Sequence, residues 1–146
     1  MISPQEIAIS LRVAYLTMHR QTNARLVKYG VTADQFVCLS ILSDKDAITQ
    51  QELVKRATSD PNTMRAMLVL LEKQGLIERI PHPTDRRARL VKLTPSGRKT
   101  IDKLVNELKP LHIIMSSAFQ DCDASKFVET LNRFTDTILK TAGAVE

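Results

Sequence analysis

Apolar residues repeat at helical spacing along most of this chain, and one segment, residues 76–93, breaks that pattern. Within it, residues 76–80 and 89–93 are rich in β-branched and aliphatic side chains and flank a polar loop with two prolines. Steps of three and four between apolar residues predict helices, whereas two short β-branched segments around a turn predict a hairpin. The sequence therefore predicts a mainly α fold with one small antiparallel β-hairpin.

Four helices are predicted before the hairpin, and their starts carry residues that favour a helix N-terminus. Thr49 and Glu52 have the spacing of a capping box, and Asp60 followed by Pro61 suits a cap and a first helical position. These four helices are predicted at residues 4–29, 33–42, 50–57 and 61–74. After the hairpin, Pro95 opens a long helix that Pro110 is expected to kink or split, and a last helix follows.

This order of elements is that of a winged helix-turn-helix domain, in which short helices precede a hairpin called the wing. We assign residues 31–99 to that domain and call its helix at 61–74 the recognition helix. The long helices at both ends carry more apolar surface than a chain of 146 residues can bury alone. Residues 1–30 and 100–146 are therefore predicted to form a helical dimerisation region.

Composition argues against several classes of protein. The chain is 43% apolar and 25% charged, as in an average globular domain, and no apolar run approaches the ~18 residues of a membrane span. Residues 1–6 lack a secretory pattern and two cysteines cannot form a disulfide scaffold, so we expect a cytoplasmic protein without membrane contact. The histidines are scattered, and paired cysteines, a phosphate loop and a nucleophile elbow are absent from the sequence. We expect no enzyme, no metal and no cofactor.

Positive charge is concentrated in one part of the chain. The net charge is +5, and residues 79–99 alone carry seven basic residues against a single acid, Asp85. A localised excess of this kind favours contact with a polyanion. A solvated charged face explains the charge alone equally well.

The predicted recognition helix has an apolar side and an exposed side. Its apolar side is formed by Met64, Met67, Leu68 and Leu71. The first two turns expose Asn62, Thr63, Arg65 and Ala66. Arginine pairs with guanine, asparagine with adenine, and threonine with base edges or a thymine methyl in the major groove. An ordinary surface helix carries a similar mixture, so this segment alone leaves both interpretations open.

Three arginines, Arg86, Arg87 and Arg89, lie within four positions in the loop of the predicted hairpin, next to Asp85. Arginines on a thin protruding loop suit the minor groove, where the negative potential is strong. An acid beside them is compatible with DNA binding when it orients an arginine side chain. The alternative is a solvated turn with a local salt bridge.

The segment at residues 82–98, HPTDRRARLVKLTPSGR, resembles the wing signature of MarR-type transcriptional regulators. Residues 70–79, LLEKQGLIER, are similar to that family's recognition-helix end and first wing strand. Residues 31–36, VTADQF, resemble the entry into its second helix. The order of elements agrees over nearly the whole chain, and the wing is the specific part of the resemblance.

The resemblance implies a homodimeric repressor that binds a near-palindromic operator in double-stranded DNA. It implies that Arg87 enters the minor groove with Asp85 as its orienting partner, and that Arg86 and Arg89 contact phosphate or the groove. The recognition-helix residues vary within the family, so they are carried over by position only: Asn62, Thr63, Arg65 and Ala66.

Many members of that family release DNA when a small, often phenolic ligand binds between the dimerisation region and the winged helix. Others sense oxidation through a cysteine near the start of the first helix, where this chain has none. We interpret Cys38 as a small apolar residue and Cys122 as an exposed one. A small aromatic effector is the implied ligand, and its candidate pocket residues are Tyr15, Met18, His19, Phe36 and His112. Packing or surface exposure is the alternative role of these five residues.

These observations predict a homodimeric, sequence-specific, double-stranded-DNA-binding transcriptional regulator that acts as a repressor. Its recognition helix is expected in the major groove and its basic wing in the minor groove. The alternative is a winged-helix interaction module that binds RNA or a protein partner through its basic face.

Overall fold

The computed structural model describes residues 1–143, which form six helices and three strands. The helices are α1 (Pro4–Leu26), α2 (Ala33–Ser43), α3 (Gln50–Ala57), α4 (Pro61–Lys73), α5 (Pro95–Ser117) and α6 (Ala124–Ala142). The strands are β1 (Ile48–Thr49), β2 (Ile77–Pro81) and β3 (Arg89–Leu93), and a 3₁₀ turn, Val27–Tyr29, follows α1. The predicted mainly α fold with a small antiparallel sheet is confirmed. The chain divides into two compact units, Met1–Lys109 and Pro110–Glu146.

The sheet has three strands rather than the two that the sequence predicts. β3 lies in the centre, between β1 and β2. β2 and β3 form the predicted hairpin, and on the other side of β3 Ile48 pairs with Val91 and Thr49 with Leu90. A strand of two residues is too short to show an alternating pattern, which is why the sequence did not indicate β1.

Side-chain caps start the helices of the winged-helix segment. The hydroxyl of Thr49 accepts the amide of Glu52 at 3.1 Å, as the predicted capping box requires. The Glu52 carboxylate does not accept the Thr49 amide in return, as in a complete capping box. It accepts instead from the Nε of Arg56 at 2.8 Å. Asp60 caps α4 as predicted. Two complete capping boxes start α1 and α2, at Ser3 with Glu6 and at Thr32 with Gln35.

The core of the first unit is aliphatic and is formed by side chains from the end of α1, from α2, α3, α4 and α5, and from the sheet. The predicted inward side of α4 is buried at Met64, Leu68 and Leu71, whereas Met67 is half-buried. Fully buried residues of the other elements are Leu26, Cys38, Leu39, Leu42, Leu53, Ile77, Val91, Leu104 and Leu108. Burial of this set holds α4 and the sheet on one scaffold.

The long α5 continues through Pro110 as one helix, so of the two expected effects of this proline, a kink or a split, the split does not occur. Proline removes one helical N–H and leaves the carbonyl four residues earlier, that of Asn106, without its usual donor. Both residues are exposed, so water can satisfy that carbonyl. The boundary between the two compact units falls at the same residue.

The apolar stripes of α1 and α6 are mostly exposed in the single chain. On α1, Ile7, Tyr15 and Met18 are exposed, and Leu26 is the buried residue of the helix. On α6, Phe127 and Phe134 are exposed. None of the helices described over residues 1–143 has an apolar stretch long enough to cross a membrane.

Gly97 allows a close approach at the start of α5. Its amide donates to the Thr94 hydroxyl at 2.9 Å, and that hydroxyl donates to the Gly75 carbonyl at 2.6 Å. A Cβ on Gly97 would overlap the carbonyl oxygen of Leu76, which accepts the Thr94 amide at 3.1 Å. Leu76 and Thr94 flank the two strands of the hairpin, so this contact joins the hairpin base to α5.

We expect Gly97→Ala to lower the free energy of unfolding by about 2 kcal/mol, because the added methyl displaces backbone rather than a flexible side chain. Urea denaturation measures this change. Gly143→Ala is the matched control, since its Cβ would meet nothing closer than the Leu139 carbonyl at 3.8 Å. Equal midpoints for the two variants would show that the start of α5 shifts freely.

The two cysteines differ in how far they are buried. Cys38 is fully buried with its Sγ 3.8 Å from the Met64 Sδ, whereas Cys122 is exposed. Burial raises the pKa of the Cys38 thiol to about 11. Only the thiolate is nucleophilic, and a thiol with this pKa is on the order of 0.1% thiolate at pH 8.

We expect iodoacetamide at pH 8 to modify Cys122 in the folded protein and to reach Cys38 only after addition of urea. Peptide mass mapping distinguishes the two sites. The Cys122→Ser variant isolates Cys38 and should stay unmodified over the period in which the native chain takes one label. Labelling of Cys38 in that variant without denaturant would contradict its assignment as an inert core residue.

Candidate nucleic-acid interface

The start of α3, the start of α4 and the wing face one groove in the first unit. The groove has a volume of about 580 Å³. Its helical side is lined by Thr49, Gln50, Gln51, Val54 and Pro61, and its wing side by His82, Asp85, Arg87, Ala88 and Arg89. Two helix N-termini and two arginines therefore border the same concave surface, which suits an anionic backbone.

The cap of α4 determines what Thr63 offers to a ligand. The backbone amide of Thr63 donates to one carboxylate oxygen of Asp60 at 2.9 Å, and the Thr63 hydroxyl donates to the other at 2.6 Å. The hydroxyl bond and then the amide bond hold the pKa of Asp60 below its usual range. Because the hydroxyl proton is committed to Asp60, Thr63 presents acceptor lone pairs and a methyl group to the surface.

The four predicted recognition-helix residues share the exposed side of the first two turns of α4. Asn62, Thr63, Arg65 and Ala66 are all exposed. Met64, which lies between them in the sequence, is fully buried on the core side of the helix. The helix therefore cannot rotate to hide the exposed side without exposing Met64.

Asp85 holds the wing backbone, which differs from the expected role of orienting a guanidinium. Its carboxylate accepts from the backbone amide of Arg87 at 2.9 Å, and its carbonyl accepts from the Ala88 amide at 3.2 Å. Asp85 is absent from the ion pairs found among residues 1–143. An aspartate reaches the amide two residues ahead within a tight turn, whereas an exposed ion pair at the tip contributes under about 1 kcal/mol.

A second contact at the wing tip comes from His82, and the sequence did not predict it. The Nδ1 of this half-buried side chain accepts the amides of Thr84 at 3.2 Å and Asp85 at 3.0 Å. The signal available was spacing, because a side-chain acceptor two and three residues before free amides is typical of a capped turn.

The basic residues of the hairpin fall into two groups. At its base, Lys92 pairs with Glu78 at 3.1 Å, and Arg79 lies 3.1 Å from Glu72 in an ion pair without hydrogen-bond geometry. At its tip and at the adjoining first residue of β3, Arg86, Arg87 and Arg89 are exposed and belong to no ion pair within the described part of the chain. Positive charge is therefore partly neutralised at the base and concentrated at the tip.

The five candidate pocket residues do not converge on one cavity. Tyr15 borders a cleft of about 540 Å³ in the first unit, whose lining also includes Asp34, Thr63 and Met67. Tyr15 stacks on His19 with ring centroids 5.4 Å apart, and His19 does not line the cleft. Met18 is exposed and Phe36 is half-buried outside it. His112 lines a depression of about 290 Å³ in the second unit.

Comparison with known proteins gives a family and relatives. The MarR family model matches residues 31–88. The HTH-type transcriptional repressor NicR of Pseudomonas putida is 36% identical over 51% of this chain and 48% of its own length. The multiple antibiotic resistance protein MarR of Salmonella typhimurium is 41% identical over 53% of this chain and 54% of its own. The chain thus matches about half the length of these curated relatives.

Solved structures share the fold over most of the chain. A mutant of MarR from E. coli, crystallised with operator DNA, has a TM-score of 0.74 and 26% identity, covering 91% of this chain and 93% of its own. The regulator BldR from Sulfolobus solfataricus has a TM-score of 0.78 with 23% identity, covering 93% and 99%, which shows the fold alone. The family-model match over residues 31–88, the identities to MarR and the shared fold agree, and the chain is similar to members of the MarR family.

Proposed function

We propose that this chain is a homodimeric, sequence-specific, double-stranded-DNA-binding transcriptional regulator that acts as a repressor in the cytoplasm. It is not an enzyme in this proposal and needs no cofactor. The observation that carries the proposal is the groove that the starts of α3 and α4 share with the arginine tip of the wing. The relative solved with operator DNA at 26% identity supports it.

In the proposed complex, α4 enters the major groove and the wing follows the backbone into the minor groove. The helix reads bases with the exposed residues of its first two turns: Asn62, Thr63, Arg65 and Ala66. Arg65 suits guanine, and the acceptor-only hydroxyl of Thr63 suits the amino group of adenine or cytosine. Arg87 occupies the minor groove, while Arg86 and Arg89 contact phosphate or the groove wall.

The exposed apolar residues support a homodimer. Ile7 and Val13 on α1, and Phe134 and Ile138 on α6, lie open to solvent in the single chain. Apolar stripes on two long helices at the ends of a chain are the surface that a second copy would cover. Residues 1–30 and 100–146 form the dimerisation region in this proposal, and residues 31–99 the DNA-binding domain. Two copies of α4 then meet half-sites of a near-palindromic operator about 34 Å apart.

A small aromatic effector that releases DNA is part of the same proposal. The cleft that Tyr15 borders has the volume of a small-molecule site, within the usual range of roughly 300–1,000 Å³. Its lining includes Asp60 and Thr63, which start α4. A ligand bound there would contact the residues that shape the DNA-reading end of the helix.

The alternative function is an interaction module that binds RNA or a protein through the basic wing. The observation that separates it from the leading proposal is the exposed polar side of α4. That side fits the wide major groove of B-form DNA, whereas the deep, narrow major groove of A-form RNA does not admit a helix.

We expect the purified protein to enrich, from random duplexes, a sequence with two symmetric half-sites centred about 10 base pairs apart. In competition, this duplex should displace labelled DNA at least tenfold better than a duplex RNA of the same sequence. Affinity should fall steeply with salt, because phosphate neutralisation releases counterions. A preference for the RNA, or enrichment of no duplex, would overturn the proposed function.

We expect Arg87→Ala to weaken binding to the selected duplex by about tenfold or more, through loss of a minor-groove contact. Gel shift or fluorescence anisotropy measures the loss, and sedimentation checks that the dimer is unchanged. Lys103→Ala is the control, since it removes one exposed positive charge outside the wing and the two helices of the groove. Equal affinities for the two variants would contradict the wing assignment.

A further inference from the structure

We propose that His82 is the positioning residue of the wing: its imidazole holds the tip backbone in the conformation that presents Arg86 and Arg87 to DNA. This inference rests on the proposed function and adds a residue to it. In the sequence, His82 is the first residue of the segment that resembles the MarR wing, and no role is assigned to it there. Its contacts give it a defined role in the folded hairpin.

The wing tip is a seven-residue connection between β2, which ends at Pro81, and β3, which begins at Arg89. At its neck, the amide of His82 donates to the Ala88 carbonyl at 3.4 Å. Beyond that bond, residues 83–87 are all exposed, while His82 is half-buried. Apolar packing therefore cannot define the shape of the tip, and local hydrogen bonds must do so.

One nitrogen of His82 makes the contacts that close the tip. Its Nδ1 accepts the Asp85 amide at 3.0 Å and the Thr84 amide at 3.2 Å, with the Thr84 hydroxyl at 3.4 Å. A ring nitrogen that accepts hydrogen bonds carries no proton, so these contacts require the tautomer with its hydrogen on Nε2. The imidazole thus replaces the backbone partners that these two amides lack in an irregular turn.

The contacts continue from His82 to the arginines. Asp85, whose amide His82 holds, accepts the Arg87 amide through its carboxylate at 2.9 Å and the Ala88 amide through its carbonyl at 3.2 Å. Each bond spans only two or three residues. The position of the Arg87 backbone is therefore linked to the His82 ring through Asp85.

This arrangement affects binding by preorganisation. An exposed loop that samples many conformations must be ordered on the DNA, and the entropy lost weakens the complex. A tip already held by His82 and Asp85 avoids most of that loss. Removing the acceptor should weaken binding without removing a charge from the interface.

Three variants separate positioning from direct contact. In His82→Asn, the side-chain oxygen can accept the same amides from nearly the place of Nδ1, as in an Asx turn. In His82→Gln, the amide nitrogen approximates the donor Nε2, but the acceptor near the backbone is lost. His82→Ala loses both groups.

The first measurement is affinity for the duplex selected on the wild-type protein, at several salt concentrations. We expect His82→Ala and His82→Gln to bind about tenfold more weakly and His82→Asn to bind within about twofold of wild type. The salt dependence should be the same for all four proteins, because no phosphate contact is removed. Wild-type affinity in His82→Ala, rescue by Gln instead of Asn, or a salt slope lower by about one would overturn the proposal.

The second measurement uses the free protein and does not depend on DNA. In ¹H–¹⁵N spectra, the amide signals of Thr84, Asp85 and Arg87 should move in His82→Ala and return toward wild-type positions in His82→Asn. Signals from the core should stay in place, which confirms that the variants fold. Unmoved Thr84 and Asp85 signals in a folded His82→Ala would overturn the role of His82, even where the protein binds DNA. Failure of wild type to bind any duplex would instead overturn the proposed function alone.

Discussion

The outward side of α4 is determined by the burial of Met64, Leu68 and Leu71 on its other side. Each of these side chains contributes roughly 1.5–3 kcal/mol by leaving water, so rotation of the helix is strongly opposed. Asn62, Thr63 and Arg65 are polar residues that the same rotation would bury. The helix is thus held from one side by the core and oriented on the other side by solvent. The DNA-reading surface of the proposed function depends on this constraint.

The connection from α4 to the wing fixes the base of the hairpin at the end of the helix. Gly75 turns the backbone with a φ of +73°, which glycine adopts without steric cost. The carbonyls of Gly75 and Leu76 then bind the hydroxyl and the amide of Thr94, at the end of the hairpin. The end of α4, the base of the hairpin and the start of α5 therefore meet at one junction. A wing anchored at such a junction can keep its tip at a constant place beside the helix.

The hairpin combines a stable base with a charged tip. The base is paired strand to strand from Ile77 to Pro81, and its charges form ion pairs. The tip has no apolar packing, and its shape comes from the bonds of His82 and Asp85. Charges at the tip would repel one another in a flexible loop, and a fixed backbone spaces them for an anionic partner. This division explains why an acid lies among the arginines, because the Asp85 carboxylate accepts the backbone amide of Arg87.

Local patterns in the sequence were enough to predict the helices, both strands of the hairpin, the buried side of α4 and the exposed arginines of the wing. These features depend on neighbours within about four residues, through helical periodicity, caps and turn residues. The sequence did not predict β1, because Ile48 pairs with Val91 across a long stretch of chain. It also missed the hold of His82 on the wing and the partner of the Asp85 carboxylate. Only the tertiary structure decided which groups share the groove, since packing of the core brings Gln50 and Arg87 to one surface.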